Sequence, residues 1–171
     1  LTKTAGYQGT ICEIEGKLQE YLSRRINGKE TLSIITARKN KSAASSSIVE
    51  LMKLLNPADF ELLVELAFSR SGWQRLNETG GSQKTADFEL YIPILNEYAF
   101  VQVKTKTTQK ELQEYEEQLE ERDDDYMFYV YHTAKKGLTP HHPQTRLIDP
   151  NNLAEIVLNA GLYDWLLKKT Q

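Results

Sequence analysis

Asp87, Gln102 and Lys104 are the residues of this chain whose types and spacing could do chemistry together. From Ala86 to Ile94 apolar and polar residues alternate, with Ala86, Phe88, Leu90, Ile92 and Ile94 on one side and Asp87, Glu89, Tyr91 and Pro93 on the other. Tyr98 to Thr105 alternates too, with Ala99, Val101 and Val103 opposed to Phe100, Gln102 and Lys104. Period two is the mark of a strand, and facing residues of an antiparallel pair share a side. A hairpin turning at Leu95-Asn96 therefore sets Asp87 across from Lys104 and Glu89 across from Gln102.

A carboxylate, an amide carbonyl and an ammonium gathered on one strand face suit metal-dependent phosphodiester hydrolysis. Mg²⁺ takes oxygen ligands, commonly one or two carboxylates with waters and substrate phosphate. Asp87 is the first ligand expected, the Gln102 carbonyl a second and the Val103 main-chain oxygen a third. Lys104 would orient or deprotonate the attacking water and neutralise charge on the phosphorane. On spacing alone an ordinary cross-strand ion pair is the better explanation of Asp87 and Lys104.

The elements that must position these residues begin with a helix at Asn56-Pro57-Ala58-Asp59, where Asn56 can cap, Pro57 suits the first turn and Asp59 favours the positive end of the dipole. Phe60, Leu63, Val64 and Ala67 share its inner face, and Leu62 and Leu66 widen the apolar surface, so the helix is expected to be mostly buried. Glu61, Glu65 and Ser69 form a narrow stripe on it. Glu61 could reach the site as an outer or second-metal ligand, while Glu65 reads as solvated surface. Gly80-Gly81 in the following loop could bring main-chain N–H groups close to a phosphate, and Lys84, Lys104, Lys106 and Lys110 supply positive charge nearby.

Lys110 to Asp125 reads as an acidic helix with Leu112, Tyr115 and Leu119 inward; segment 111–125 holds nine acidic residues and one basic, the mark of a solvated outer face. Tyr126 to His132 reads as a buried strand, and Arg146-Leu147-Ile148 as a shorter one. Asp149-Pro150 opens a helix that Gly161 ends. Upstream, Ile11, Ile14, Leu18 and Leu22 predict a helix stopped at Asn27-Gly28. Thr31–Thr36 predicts a strand, 38–47 a loop and Ile48–Leu55 a further helix. His132 reads as structural, His141 and His142 as an exposed loop, Cys12 as a buried thiol, and Trp73 and Trp165 as core or cap residues.

The chain has 171 residues, 21 Lys+Arg against 24 Asp+Glu, three histidines and one cysteine. That excludes a disulfide framework and a cysteine-based zinc signature. No apolar run approaches the ~20 residues of a membrane span and no secretory leader is evident, so a cytoplasmic protein is expected.

Residues Leu55–Lys106 resemble the core of the PD-(D/E)xK nuclease superfamily, and within it the Mrr-like restriction endonucleases. The resemblance rests on Leu55-Asn56-Pro57 with Phe60-Glu61 and Leu63-Val64, on Gly72-Trp73, on Thr79-Gly80-Gly81-Ser82, and on Asp87 with Val101-Gln102-Val103-Lys104, the D…QxK variant. It extends more loosely to Tyr126–Tyr131 and to Leu147-Ile148-Asp149 with Leu153-Ala154. It implies an α/β fold with a restriction-endonuclease-like core, a central mixed β-sheet flanked by helices, over residues 51–171. Residues 1–50 would be a packed helix and strand extension.

It further implies a Mg²⁺-dependent endonuclease (Mn²⁺ substituting) that cuts DNA in restriction of foreign or modified DNA. Asp87, Gln102, Lys104 and Glu61 would be catalytic, Asp87, Gln102 and the Val103 carbonyl metal ligands, and Gly80, Gly81, Ser82, Lys84 and Lys106 would bind substrate. A homodimer is expected for double-strand cutting, and a specificity domain outside this segment is compatible with the reading. Thr105 departs from the pattern, where the family often continues with a basic residue; Lys106 substitutes for it. The alternatives are a noncatalytic nucleic-acid-binding or assembly module on the same fold, a Holliday-junction resolvase and an RNA nuclease.

Overall fold

The computed structural model of the chain describes residues 16–76 and 86–171. The chain divides into two compact units, 1–42 and 43–171. Among the described residues of the first, helix α1 (Gly16–Ile26) ends at Asn27-Gly28, with Gly28 at φ +63°, a conformation in which a side chain would be strained. The predicted helix is thus present from Gly16 onward, and Ile11, Cys12 and Ile14 lie outside the described residues.

Helix α2 spans Leu32–Met52 and overturns two expectations at once, the strand at Thr31–Thr36 and the loop at 38–47. Thr31 stands before its first turn, and the Ile34 N–H donates to the Thr31 main-chain oxygen at 3.0 Å. The β-branched run is too short to impose a strand once Ala37, Arg38, Lys39, Lys41, Ala43 and Ala44, good helix formers, follow it. The serines that suggested a loop use helical bonds instead, with Ser47 Oγ donating to Ala43 O at 3.0 Å.

In the second unit a five-stranded sheet has the order β1 (Gln74–Arg75), β2 (Phe88–Ile92), β3 (Glu97–Lys104), β4 (Tyr126–Tyr131), β5 (Thr145–Ile148). β2 runs antiparallel to its neighbours β1 and β3, and β4 and β5 run parallel to β3. The sheet is therefore mixed, flanked by helices, and α/β in class. Helix α3 (Pro57–Arg70) lies on one face with α5 (Pro150–Asn159) and α6 (Tyr163–Lys169); α4 (Gln109–Leu119) covers the other.

Alternation explains the two layers. Ala99, Val101 and Val130 pack with Phe60, Leu63, Val64 and Ala67 of α3, whereas Phe100, Met127 and Tyr129 pack with Leu112 and Leu119 of α4. The α3 start is as expected: Asn56 Oδ1 accepts the Asp59 N–H at 2.9 Å, and Pro57 opens the helix. Its outer flank is less buried than expected, because Leu62 is exposed. Glu65 is not simply solvated either, since it pairs with Arg75 of β1, whose guanidinium also lies over the Phe88 ring at 5.5 Å.

Helix α4 stops at Leu119 rather than continuing to Asp125. Several acidic residues of 111–125 face inward in place of the expected solvated outer face. Glu116, 6% exposed, accepts the His141 and His142 N–H groups at 2.9 and 3.0 Å. Gln109 exchanges two bonds with the main chain of Thr139, and Asp125 accepts the Tyr98 N–H at 2.8 Å. The β4–β5 connection has no helix of its own and is held to α4 by these side chains. Beyond Gly161 (φ +65°) the short α6, unforeseen in the sequence, adds the buried Leu166 to the core.

Candidate active site

The hairpin is present with its register shifted by two from the expected one. Phe88 faces Val101 and Glu89 faces Phe100, which sets Asp87 level with Gln102 and not with Lys104. The reason is the turn, which spans Pro93–Asn96 with Asn96 at φ +54° instead of centring on Leu95-Asn96. A shift of two leaves every side chain on its predicted face. Gln102 and Lys104 consequently still share the α4 side of β3, and Asp87 sits at the start of β2 beside them.

The main chain shows how Asp87 is placed. Its N–H donates to Val101 O at 3.0 Å, the last rung between β2 and β3 among the described residues. Val103, next on that edge of β3, donates its N–H to Asp87 Oδ2 at 2.6 Å. The carboxylate thus replaces a missing rung, and the Val103 carbonyl, directed to the same edge by strand alternation, is set beside it. Gln102 is 2% exposed on the α4 side of β3.

Lys104 is gripped from α4. Its ammonium donates to the Tyr115 hydroxyl at 2.9 Å, lies 4.7 Å from the centre of the Tyr115 ring, and stands 3.7 Å from Glu111 Oε1. Thr107 Oγ1 donates to Glu111 Oε2 at 3.1 Å and shares a short hydrogen bond with the Tyr129 hydroxyl. Burial lowers the Lys104 pKa, but the Tyr115 bond and the charges of Asp87 and Glu111 outweigh it, and the net shift is upward. Tyr129 is raised, first by burial. Neither Tyr115 nor Glu111 stands out in the sequence as a site residue; the only signal is their helical i, i+4 spacing within an acidic helix.

Glu61 approaches from α3. Its carboxyl is raised above the ordinary value, first by burial and next by the negative charge of Asp87, with Arg75 opposing. Two carboxylates from different elements are therefore near enough, at the start of β2, for their charges to oppose each other. Lys106 is exposed beyond β3, while Gly80, Gly81, Ser82 and Lys84 lie outside the described residues.

Among the described residues no group of three His, Cys, Asp or Glu side chains could hold a metal ion. Hard oxygen-preferring cations do not require one, since Mg²⁺ is commonly held by one or two carboxylates and keeps several waters. The donor chemistry of Asp87, Glu61, the Gln102 amide and the Val103 carbonyl fits such an ion. The upward shift that Asp87 imposes on Glu61 is the repulsion a cation would relieve.

His132, just past β4, is structural in its contacts. Its ring meets Phe60 edge to face at 4.7 Å, its Nδ1 lies 2.8 Å from Thr133 Oγ1, and its main-chain N–H donates to Lys104 O at 3.3 Å. Burial, then the charges of Lys53 and Lys106, hold its pKa below the ordinary histidine value. A histidine depressed in the folded state binds more protons when unfolded, so this contribution to stability is complete above the unfolded pKa of about 6.5 and is lost as pH falls through it. Between pH 7.5 and 5.5 the urea midpoint of the wild type should drop more steeply than that of His132→Gln. Parallel curves for the two proteins would contradict the assignment.

The sheet and its end-of-strand cluster define an α/β domain carrying an Asp, Gln and Lys set beside a second carboxylate. Set against known proteins, the sequence matches no family model, no curated protein and no solved structure. No helix among the described residues is long and apolar enough to cross a membrane.

Proposed function

We propose that this chain is a metal-dependent endonuclease that hydrolyses DNA phosphodiester bonds, of the PD-(D/E)xK, Mrr-like type, acting in restriction of foreign or modified DNA. The observation that carries the reading is the placement of Asp87 beside the Gln102-Val103-Lys104 run at one end of the β2–β3 pair, with the Glu61 carboxyl of α3 near enough to feel the Asp87 charge. Asp87, Gln102 and the Val103 carbonyl would hold Mg²⁺ or Mn²⁺, with Glu61 as the accessory carboxylate. When bound, the ion supplies Lewis-acid stabilisation of phosphate charge and an acidified water.

The chain's own residues do the rest. Lys104, held by Tyr115 and Glu111 with its pKa displaced upward, is placed to orient or deprotonate the attacking water and to stabilise charge on the phosphorane. Tyr115 and Glu111 keep the ammonium in place. Tyr115→Phe removes a hydrogen bond to a charged group, an interaction of roughly 1.5–3 kcal/mol, and is expected to slow cleavage by about ten- to a hundredfold without weakening DNA binding. Single-turnover cleavage beside a binding titration measures both; an unchanged rate would remove Tyr115 from the site.

The test of the reading is cleavage of methylated and unmethylated plasmid in Mg²⁺ or Mn²⁺. Cutting by the wild type alone, and not by Asp87 variants, supports a nuclease, and a difference between plasmids supports the Mrr-like type. The rival is a noncatalytic nucleic-acid-binding module. The Asp87 to Val103 N–H bond favours it, because that bond gives Asp87 a purely structural task. DNA affinity that ignores added divalent metal, with no cutting, would decide for the rival.

A further inference from the structure

The unit that carries the candidate site is poorly charged for a polyanionic substrate. Residues 43–171 hold 13 Lys+Arg and 20 Asp+Glu, a net charge of -7, whereas residues 16–42 hold seven Lys+Arg and two Asp+Glu, a net charge of +5. A duplex presents one negative charge per ≈ 1.7 Å of axis, and a surface that tracks its backbone must be locally positive. The two acids of 16–42 are each paired, Glu20 with Arg24 at 3.2 Å and Glu30 with Arg38 at 2.5 Å. Lys17, Arg25, Lys29 and Lys39 are exposed, and no residue of α1 is buried.

We infer that the segment 16–42 is a DNA-backbone-binding element, in which Lys17, Arg25, Lys29 and Lys39 contact phosphates. The inference rests on the nuclease reading for the identity of the polyanion. Two other occupants fit less well. A lipid surface requires an uninterrupted apolar side of a helix, yet at 100° per residue Arg25 falls within the α1 arc of Leu18, Tyr21, Leu22 and Ile26, and Arg38 and Lys39 fall within the α2 arc of Leu32, Ile34 and Ile35. A second copy of the same segment would set +5 against +5. The exposed Leu18, Tyr21 and Ile26 of α1 nevertheless make self-association the rival that the experiment must address.

The experiment compares the full chain with its Lys17→Gln, Arg25→Gln, Lys29→Gln, Lys39→Gln quadruple variant, titrated against a labelled 20-base-pair duplex in chelator over a range of KCl. Removing four phosphate contacts should flatten the slope of log affinity against log[KCl] by about 3.6, at roughly 0.9 per contact, and weaken binding at least thirtyfold at 100 mM salt. A variant with Arg in place of Lys at 17, 29 and 39 should keep wild-type affinity, and equal helix content by circular dichroism guards against misfolding. Unchanged slope and affinity in the Gln variant, or no duplex binding by the wild type, would overturn the inference. So would a loss of binding accompanied by dimer-to-monomer conversion in sedimentation, which would assign the segment to a second copy. Cleavage is read separately: binding that depends on the four cations in a wild type that never cuts would sink the nuclease reading and leave this one standing.

Discussion

Asp87→Asn is expected to abolish cleavage, by a factor of a thousand or more, in a protein as stable as the wild type. The carboxylate has two separable tasks. In the proposed nuclease its charge would hold a divalent cation and oppose the Lys104 ammonium, while one oxygen accepts the Val103 N–H at 2.6 Å. An asparagine keeps an acceptor for that N–H and loses the charge. Asp87→Ala loses both, so it should fail to cut and also lose about 1–3 kcal/mol of stability, the cost of a buried donor left without a partner. Lys104→Ala should be equally inactive for the complementary reason, with the Tyr115 hydroxyl and Glu111 left facing no cation. Plasmid cleavage and urea denaturation of the three variants separate catalytic from structural loss. Cleavage by Asp87→Asn at the wild-type rate would end the metal-ligand assignment.

The largest effect on the fold is expected from Phe60→Ala. Phe60 is fully buried on the first turns of α3, among the side chains that join α3 to the sheet, and its ring meets that of His132. Truncating a buried phenylalanine costs about 3–5 kcal/mol in lost burial and residual cavity, against total stabilities of about 5–15 kcal/mol. Urea unfolding should show that loss as a lowered midpoint. Glu61 is the next residue on the helix, so the change also loosens the carboxylate that senses Asp87. A loss below about 1 kcal/mol would mean that α3 is not seated as described.

Much of this arrangement is legible in the sequence because it depends on period. The face shared by Phe60, Leu63, Val64 and Ala67, the alternation along β2 and β3, and the cap at Asn56 follow from local rules, and each is present. Register is less local. It was displaced by the geometry of a four-residue turn whose Asn96 takes a positive φ, and only because the slip was even did Gln102 and Lys104 keep their side of the sheet. The run Thr31–Thr36 misleads because β-branched residues favour strands only when a sheet receives them, and here they enter a 21-residue helix. Tyr115 and Glu111 are hidden for another reason: nothing in an acidic helix announces which of its glutamates will meet a lysine from a distant strand. The same holds for Glu116, whose burial depends on a loop that begins more than fifteen residues later.

That loop has a consequence for how the chain yields to proteases. Between β4 and β5 the main chain is fastened at Thr139 by Gln109 and at His141 and His142 by Glu116, so the stretch around them resists being drawn into a cleavage groove. Lys135 and Lys136 lie between the Thr107–Ala134 bridge and the fastening at Thr139, and both are exposed. Trypsin should enter there, and the nicked halves should stay associated, since β5 remains in the sheet beside β4 and α5 remains packed against α3.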